Sequence, residues 1–203
     1  MDEKLIEIYE KTAEMFLKLG IKSISMDDIA TELSISKKTL YKYISDKTDL
    51  LKKTFYFKFD QKKTEITNLG KKSENAIEEV VMIFEAVATM TKNFNPTFEH
   101  DLQKYYKLIS DDFLTQRLEH AYTLTKRNLL RGIEEGIYRK DIDYDTIAKQ
   151  HALTVAGNIE KTNQFFRNFD CESAMRERIF YHLHAVCNEK GLDILKNFEN
   201  MKI

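Results

Sequence analysis

Leu5, Ile8, Thr12, Met15, Phe16 and Leu19 recur three or four residues apart, so they line one face of an α-helix, and Gly20 follows as a stop. Ser25 then stands three residues before Asp28, the spacing of a capping box, and Asp27 and Asp28 occupy a first turn where the helix dipole favours acids. A short second helix is expected at about 26–33, with Ile29, Ala30 and Leu33 turned inward. Only Ser34, Ile35 and Ser36 separate it from the next periodic stretch, and Ser36 is a good N-cap for a third helix from Lys37 to about Ile44. Two short helices joined by three residues make a helix-turn-helix.

Ser45, Asp46 and Lys47 repeat the capping logic and open a long fourth helix through Leu50, Leu51, Phe55, Phe59, Ile66 and Leu69, with Gly70 as its expected end. Further long helices are expected from Ser73 to about Phe94, over 97–109, from Asp111 to Glu135, and at roughly 144–168 and 172–189, with a short tail after Gly191. Asn95-Pro96, Ser110-Asp111-Asp112 and Gly136 punctuate them. No internal repeat or low-complexity linker interrupts the pattern. The expected fold is all-α, with an N-terminal three-helix helix-turn-helix domain over residues 1–50 and a larger helical domain over 51–203.

Composition agrees: 42% of residues are hydrophobic, 32% are charged, and there are one Pro and six Gly, a mixture poor in turn formers. No apolar run approaches the roughly 18 residues of a membrane span, and the opening MDEKLIEIYEK lacks the layout of a signal peptide, so the expected location is the cytoplasm, away from membranes. Cys171 and Cys187 lie sixteen positions apart without a CxxC spacing and are expected to be thiols. The common catalytic strings GxSxG, GxxxxGK[ST], HExxH and GxGxxG are missing, and neither an enzyme nor a metal or other cofactor is expected. His151, His182 and His184 suggest interface or surface positions, because an i, i+2 pair points to different helix faces. A helical-bundle enzyme would need clustered acids or histidines on facing helices, which the sequence does not display.

Charge is uneven even though the net value is −1. Residues 1–34 hold four Lys against eight acids, whereas residues 35–63 hold nine Lys against three acids. A basic block beside an acidic one is the asymmetry of a surface that meets nucleic acid, and on charge alone a solvated helix face explains it as well. Placement adds direction. If Ile29, Leu33, Ile35 and Leu40 form a small core, then Lys37, Lys38, Thr39 and Lys42 project away from it, on a helix of a size that fits the major groove. Tyr41 and Tyr43 can stack or donate to phosphate oxygens, and Lys47 begins the next helix beside them.

The run AEMFLKLGIKSISMDDIATELSISKKTLYKYISDKTDLL, Ala13 to Leu51, resembles the DNA-binding domain of the TetR family of bacterial transcriptional regulators. The helix-ending Gly20, then MDDIA, SKKTLY and SDKTDLL match in order and spacing, over about a fifth of the chain. The resemblance implies major-groove contacts from Ser36, Lys37, Lys38, Thr39 and Lys42, and phosphate contacts from Tyr41, Tyr43 and Lys47. The sequence departs from the family at Ser34, where Gly is usual and a left-handed turn residue costs about 1 kcal/mol more, and at Ile44, where Phe is favoured.

RGIEEGIYRKDIDYDTIAK, Arg131 to Lys149, is similar to the family's passage into its last two long helices, which pack against a second subunit. Ala148, Ala152, Ala156 and Gly157 give the small surface that such an interface needs, and an intrachain core needs the same. The family's middle helices enclose a ligand cavity, which makes Phe84, Met90, Tyr105, Tyr106, Phe113 and Tyr122 candidate contacts for a small apolar or amphipathic effector, although each equally suits a core. The implied protein is a homodimeric, ligand-responsive regulator, more often repressor than activator, on double-stranded palindromic operator DNA. The alternative is an all-helical protein-interaction module whose lysines are only a solvated face.

Overall fold

The computed structural model describes residues 2–91, 96–155 and 171–199. Among them are ten helices: α1 Glu3–Leu19, α2 Met26–Glu32, α3 Lys37–Leu40, α4 Lys47–Lys72, α5 Ala76–Thr91, α6 Pro96–Tyr105, α7 Lys107–Glu134, α8 Tyr144–Val155, α9 Cys171–Val186 and α10 Glu189–Glu199. The expected all-α class is what the structure has. The described residues fall into two compact units, one drawn from 1–64 and 93–113 and the other from 65–92 and 114–203. Both α4 and α7 contribute residues to each.

The first unit is larger than the expected domain of residues 1–50. Its core joins Ile8 and Phe16 of α1, Ile29 of α2 and Leu40 of α3 to Leu50 and Leu51 of α4, and Phe98, Leu102 and Ile109 complete it. Fully burying one such side chain stabilises by about 2 kcal/mol, so the short α3 is fixed chiefly by Leu40, which has no exposed surface. Phe55 of α4 stacks on Phe98 at 5.5 Å between ring centroids and meets Phe113 edge-on at 4.1 Å. These contacts draw α6 and the start of α7 into this unit.

In the second unit α5 packs against α9 and α10, around Ile77, Val81, Phe84, Leu129, Leu183 and Leu195. A polar cluster fastens the end of α4 and the start of α5 to α7. Glu79, 1% exposed, receives Arg127, Arg131 at 3.1 Å and Asn128 at 3.2 Å. Arg131 also donates to the Ser73 hydroxyl at 2.7 Å and the Ser73 carbonyl at 3.0 Å, and Asn128 accepts from the buried Tyr138 hydroxyl at 3.1 Å. A buried carboxylate is tolerable only when paired in this way.

Three expected boundaries move. Gly20 and Gly136 are genuine stops with φ of 83° and 69°, a region that suits glycine. Gly70, in contrast, lies within α4, where a β-carbon would overlap the Glu79 carboxylate. Gly191 lies within α10, where the Ile137 carbonyl leaves no room for a β-carbon, and an eleven-residue helix replaces the expected tail. Ser110-Asp111-Asp112 does not begin a helix either; the break falls at Tyr106, and α7 runs through those residues. The expected extension of α8 toward residue 168 lies outside the described residues.

Candidate nucleic-acid interface

Ser25 accepts the Asp28 N–H at 3.2 Å and its own N–H donates to the Asp28 carboxylate at 2.7 Å, the reciprocal capping box that the spacing predicts. The Ser25 hydroxyl also donates to that carboxylate at 2.7 Å, and together with the Ser25 backbone N–H it holds Asp28 below the usual carboxylate range. At the other end of α2 the Ser34 N–H bonds to the Thr31 carbonyl and the Ile35 N–H to the Ala30 carbonyl, both at 3.0 Å. This is a Schellman turn, and its left-handed position is Ser34, φ 53°. The turn reverses the chain and delivers Ser36 to the start of α3.

Ser36 accepts the Thr39 N–H at 3.0 Å, and the two hydroxyls lie 2.8 Å apart, so the pair closes the first turn of α3. The helix is shorter than expected. Tyr41 still donates to the Lys37 carbonyl four residues back, but Lys42 and Tyr43 donate three back, to Thr39 and Leu40, and the α-helix gives way to turns before Ile44. Ile44, 3% exposed, anchors the exit in the core, which is the local reason the chain tightens.

This construction gives the predicted DNA-contacting residues three different positions. Lys38, Lys42 and Tyr41 are exposed, Tyr41 by 44%. Lys37 is exposed too, with its ammonium 2.9 Å from Asp27, whose carboxylate holds it above its ordinary pKa. Tyr43 packs its ring partly against the core. Lys47 is half-buried and donates to the Ile24 carbonyl. Burial pulls its pKa down, against the neighbouring Asp101 and Asp28. Its ammonium braces the α1–α2 connection instead of facing outward beside Tyr43.

The sequence model of the bacterial regulatory proteins of the tetR family matches residues 8–54, the segment that contains all of this geometry. Residues 8–54 are thus similar to that family over the helix-turn-helix and its flanking helices. No curated protein matches the chain. Among solved structures, a TetR transcription regulator from Haloarcula marismortui is similar at a TM-score of 0.74 and 18% identity, covering 93% of this chain and 100% of that one. A transcriptional regulator from Cytophaga hutchinsonii is similar at 0.76 and 15%, covering 92% and 100%. The ketosteroid transcriptional regulator KstR2 of Mycobacterium tuberculosis is similar at 0.53 and 19%, covering 93% and 97%. At these identities the likeness is one of fold, and it covers nearly the whole chain.

The candidate effector contacts do not come together in one unit. Tyr105, Tyr106 and Phe113 belong to the first: Tyr105 is 45% exposed and accepts the Lys22 ammonium at 3.0 Å, Tyr106 packs on the core, and Phe113 lies against Phe55 and Phe59. Phe84 is buried in the core of the second, and Tyr122 donates to Asp145 at 2.6 Å. Met90 lies on α5, and its side chain is outside the described residues.

The small residues expected at a dimer surface are mostly covered or undescribed. Ala148 and Ala152 are 0% and 3% exposed within their own chain, so they serve intrachain packing and present no surface to a second subunit; Ala156 and Gly157 lie outside the described residues. Leu153 on α8 and Tyr181 on α9 are instead exposed by 66% and 81%. Sequence reasoning passed over both. A large apolar residue off the inward stripe was the available signal.

His151 and His182 pair across α8 and α9 with ring centroids 4.5 Å apart. Burial, helped by the charges of His182 and Arg178, lowers the His151 pKa to about 3, and burial lowers that of His182 to about 4. His184 faces away, exposed, with Nδ1 2.8 Å from the Phe180 carbonyl. Among the described residues no three metal-ligating side chains cluster, and no helix is long and apolar enough to cross a membrane.

Proposed function

We propose that this protein is a sequence-specific transcriptional repressor that binds a palindromic operator as a homodimer and releases it when a small apolar or amphipathic effector binds. The observation that carries the reading is the capped helix-turn-helix at Ser25–Tyr43, with Lys38, Lys42 and Tyr41 exposed on its outer side within the segment that matches the TetR family. Lys38, Thr39 and Lys42 are assigned to base edges. Ser36, Lys37, Tyr41 and Tyr43 are assigned to phosphates, with Lys37 exchanging Asp27 for a phosphate oxygen.

The homodimer is supported by Leu153 and Tyr181, two large apolar side chains on α8 and α9 left to water in a single chain. Two-fold symmetry then sets half-sites about 34–36 Å apart or a multiple of that. The effector is supported by the fold likeness to a regulator named for ketosteroids and by the aromatic content of α5 to α7.

Selection of duplexes from a randomised pool, followed by gel-shift titration, tests the DNA reading. A palindromic consensus bound at least a hundredfold tighter than random duplex is expected. Binding no tighter than to random DNA would reject specificity and leave a protein-interaction module as the better reading.

A further inference from the structure

The α1–α2 connection, residues 20–25, has no assigned DNA contact, yet its backbone is gripped from two sides. Asp101 of α6, only 6% exposed, accepts the Lys22 backbone N–H at 2.8 Å. Lys47, in the first turn of α4, donates its ammonium to the Ile24 carbonyl. Four residues after Asp101 on the same helix, Tyr105 accepts the Lys22 ammonium at 3.0 Å, with that ammonium 4.4 Å from the ring centroid. Thr97 and Asp101 crowd the place where a β-carbon on Gly20 would sit, so glycine lets α6 come this close.

These contacts lie immediately upstream of the reading element. Residue 25 is the N-cap of α2, and α2 ends in the Schellman turn that delivers Ser36. A displacement of residues 20–25 therefore changes the direction in which α2 and residues 36–42 leave the core. Mere packing at position 101 would be met by an apolar side chain at lower desolvation cost. The carboxylate adds a directional bond to one backbone N–H.

We propose that Asp101, outside the helix-turn-helix segment itself, is a positioning residue for DNA reading: its buried carboxylate fixes the α1–α2 connection and thereby the angle at which residues 36–42 meet the groove. The proposal rests on the reading of Ser36–Tyr43 as a DNA-contacting element.

The test compares full-length wild type, Asp101→Ala and Asp101→Asn on the duplex selected by the wild type and on a random duplex of equal length, at a temperature where circular dichroism shows all three folded. Asp101→Ala is expected to lose at least tenfold in affinity for the selected duplex while keeping its affinity and salt dependence on random DNA, because phosphate attraction needs no exact angle. Asp101→Asn, whose amide oxygen still accepts the Lys22 N–H, is expected to recover most of the loss. Unchanged affinity of Asp101→Ala for the selected duplex, an equal loss on both duplexes, or an Asn variant no better than Ala each overturns the proposal. Should Asp101→Ala fail to fold, Asp101→Ser, polar but too short to keep the bond, carries the same expectations. A wild type that selects no duplex rejects the DNA reading itself, a result separate from any outcome at Asp101.

Discussion

The reading segment Ser25–Tyr43 and the polar cluster around Glu79 are both built from hydrogen-bonded polar side chains, but over very different sequence distances. Ser25 bonds to Asp28 and Ser36 to Thr39, each three residues away, and the turn between them is closed by backbone bonds three and five residues long. Arg131 reaches back 58 residues to Ser73, and Asn128 reaches back 52 to the Ala76 carbonyl. The first set fixes local direction and leaves its lysines free to face outward. The second consumes its charges in joining helices, so its residues hold the fold and offer little to a ligand.

The largest effect that can break this contrast is expected at Glu79. Glu79→Leu leaves Arg127 and Arg131 without their shared carboxylate and should cost about 3 kcal/mol, since Glu79 is buried while both guanidinium groups keep some solvent. Denaturant unfolding measures it, and an unchanged midpoint would show the cluster to be ornamental. On the reading side, Lys38→Ala with Lys42→Ala should lower operator affinity more than tenfold. Because both lysines are assigned to base edges, the slope of log K against log salt should stay close to that of wild type, with unfolding stability within about 0.5 kcal/mol of wild type. A parallel drop in stability would place these lysines in the fold's own structure.

A smaller gain sharpens the local side of the comparison. Ser34 is the non-glycine residue with positive φ among the described residues, so Ser34→Gly should stabilise by about 1 kcal/mol or less in thermal unfolding, the strain relieved being partly offset by a freer unfolded chain. Destabilisation would mean that the serine side chain supplies something the turn needs.

The smallest effect near neutrality is a pH dependence from the second unit. His151 and His182 have folded pKa values of about 3 and 4 against an ordinary 6.5, so the unfolded chain binds more protons in between. Their contribution is fully present above pH 6.5, declines as the pH falls below it, and levels off under about pH 3. His182→Gln should flatten the fall between pH 6.5 and 4; an identical pH profile would remove the pair from the acid response.

Much of the fold was legible because its signals are local. The capping box at Ser25 and Asp28, the N-cap at Ser36 and the stop at Gly20 involve residues that meet whatever the rest of the chain does. The site was legible to the same extent: Lys38 and Lys42 point outward because Leu40 and Ile44 point inward. Lys47 shows where this fails. Its sequence position is a fine helix start beside a tyrosine, but its ammonium turns toward Ile24, a carbonyl 23 residues away, and no local pattern encodes that choice.

The glycines divide the two kinds of information. By itself the sequence determined an all-helical chain and a helix-turn-helix between Ser25 and Tyr43, because propensity and capping act within a few residues. Only the tertiary structure decided that Gly70 and Gly191 admit a neighbouring carboxylate and carbonyl instead of ending helices. It alone showed Ala148 and Ala152 covered by their own chain and Asp101 bonded to the Lys22 backbone. A missing or small side chain reads the same in sequence whether it permits a turn or a close approach, and only the partner, placed by the packing of distant helices, tells which.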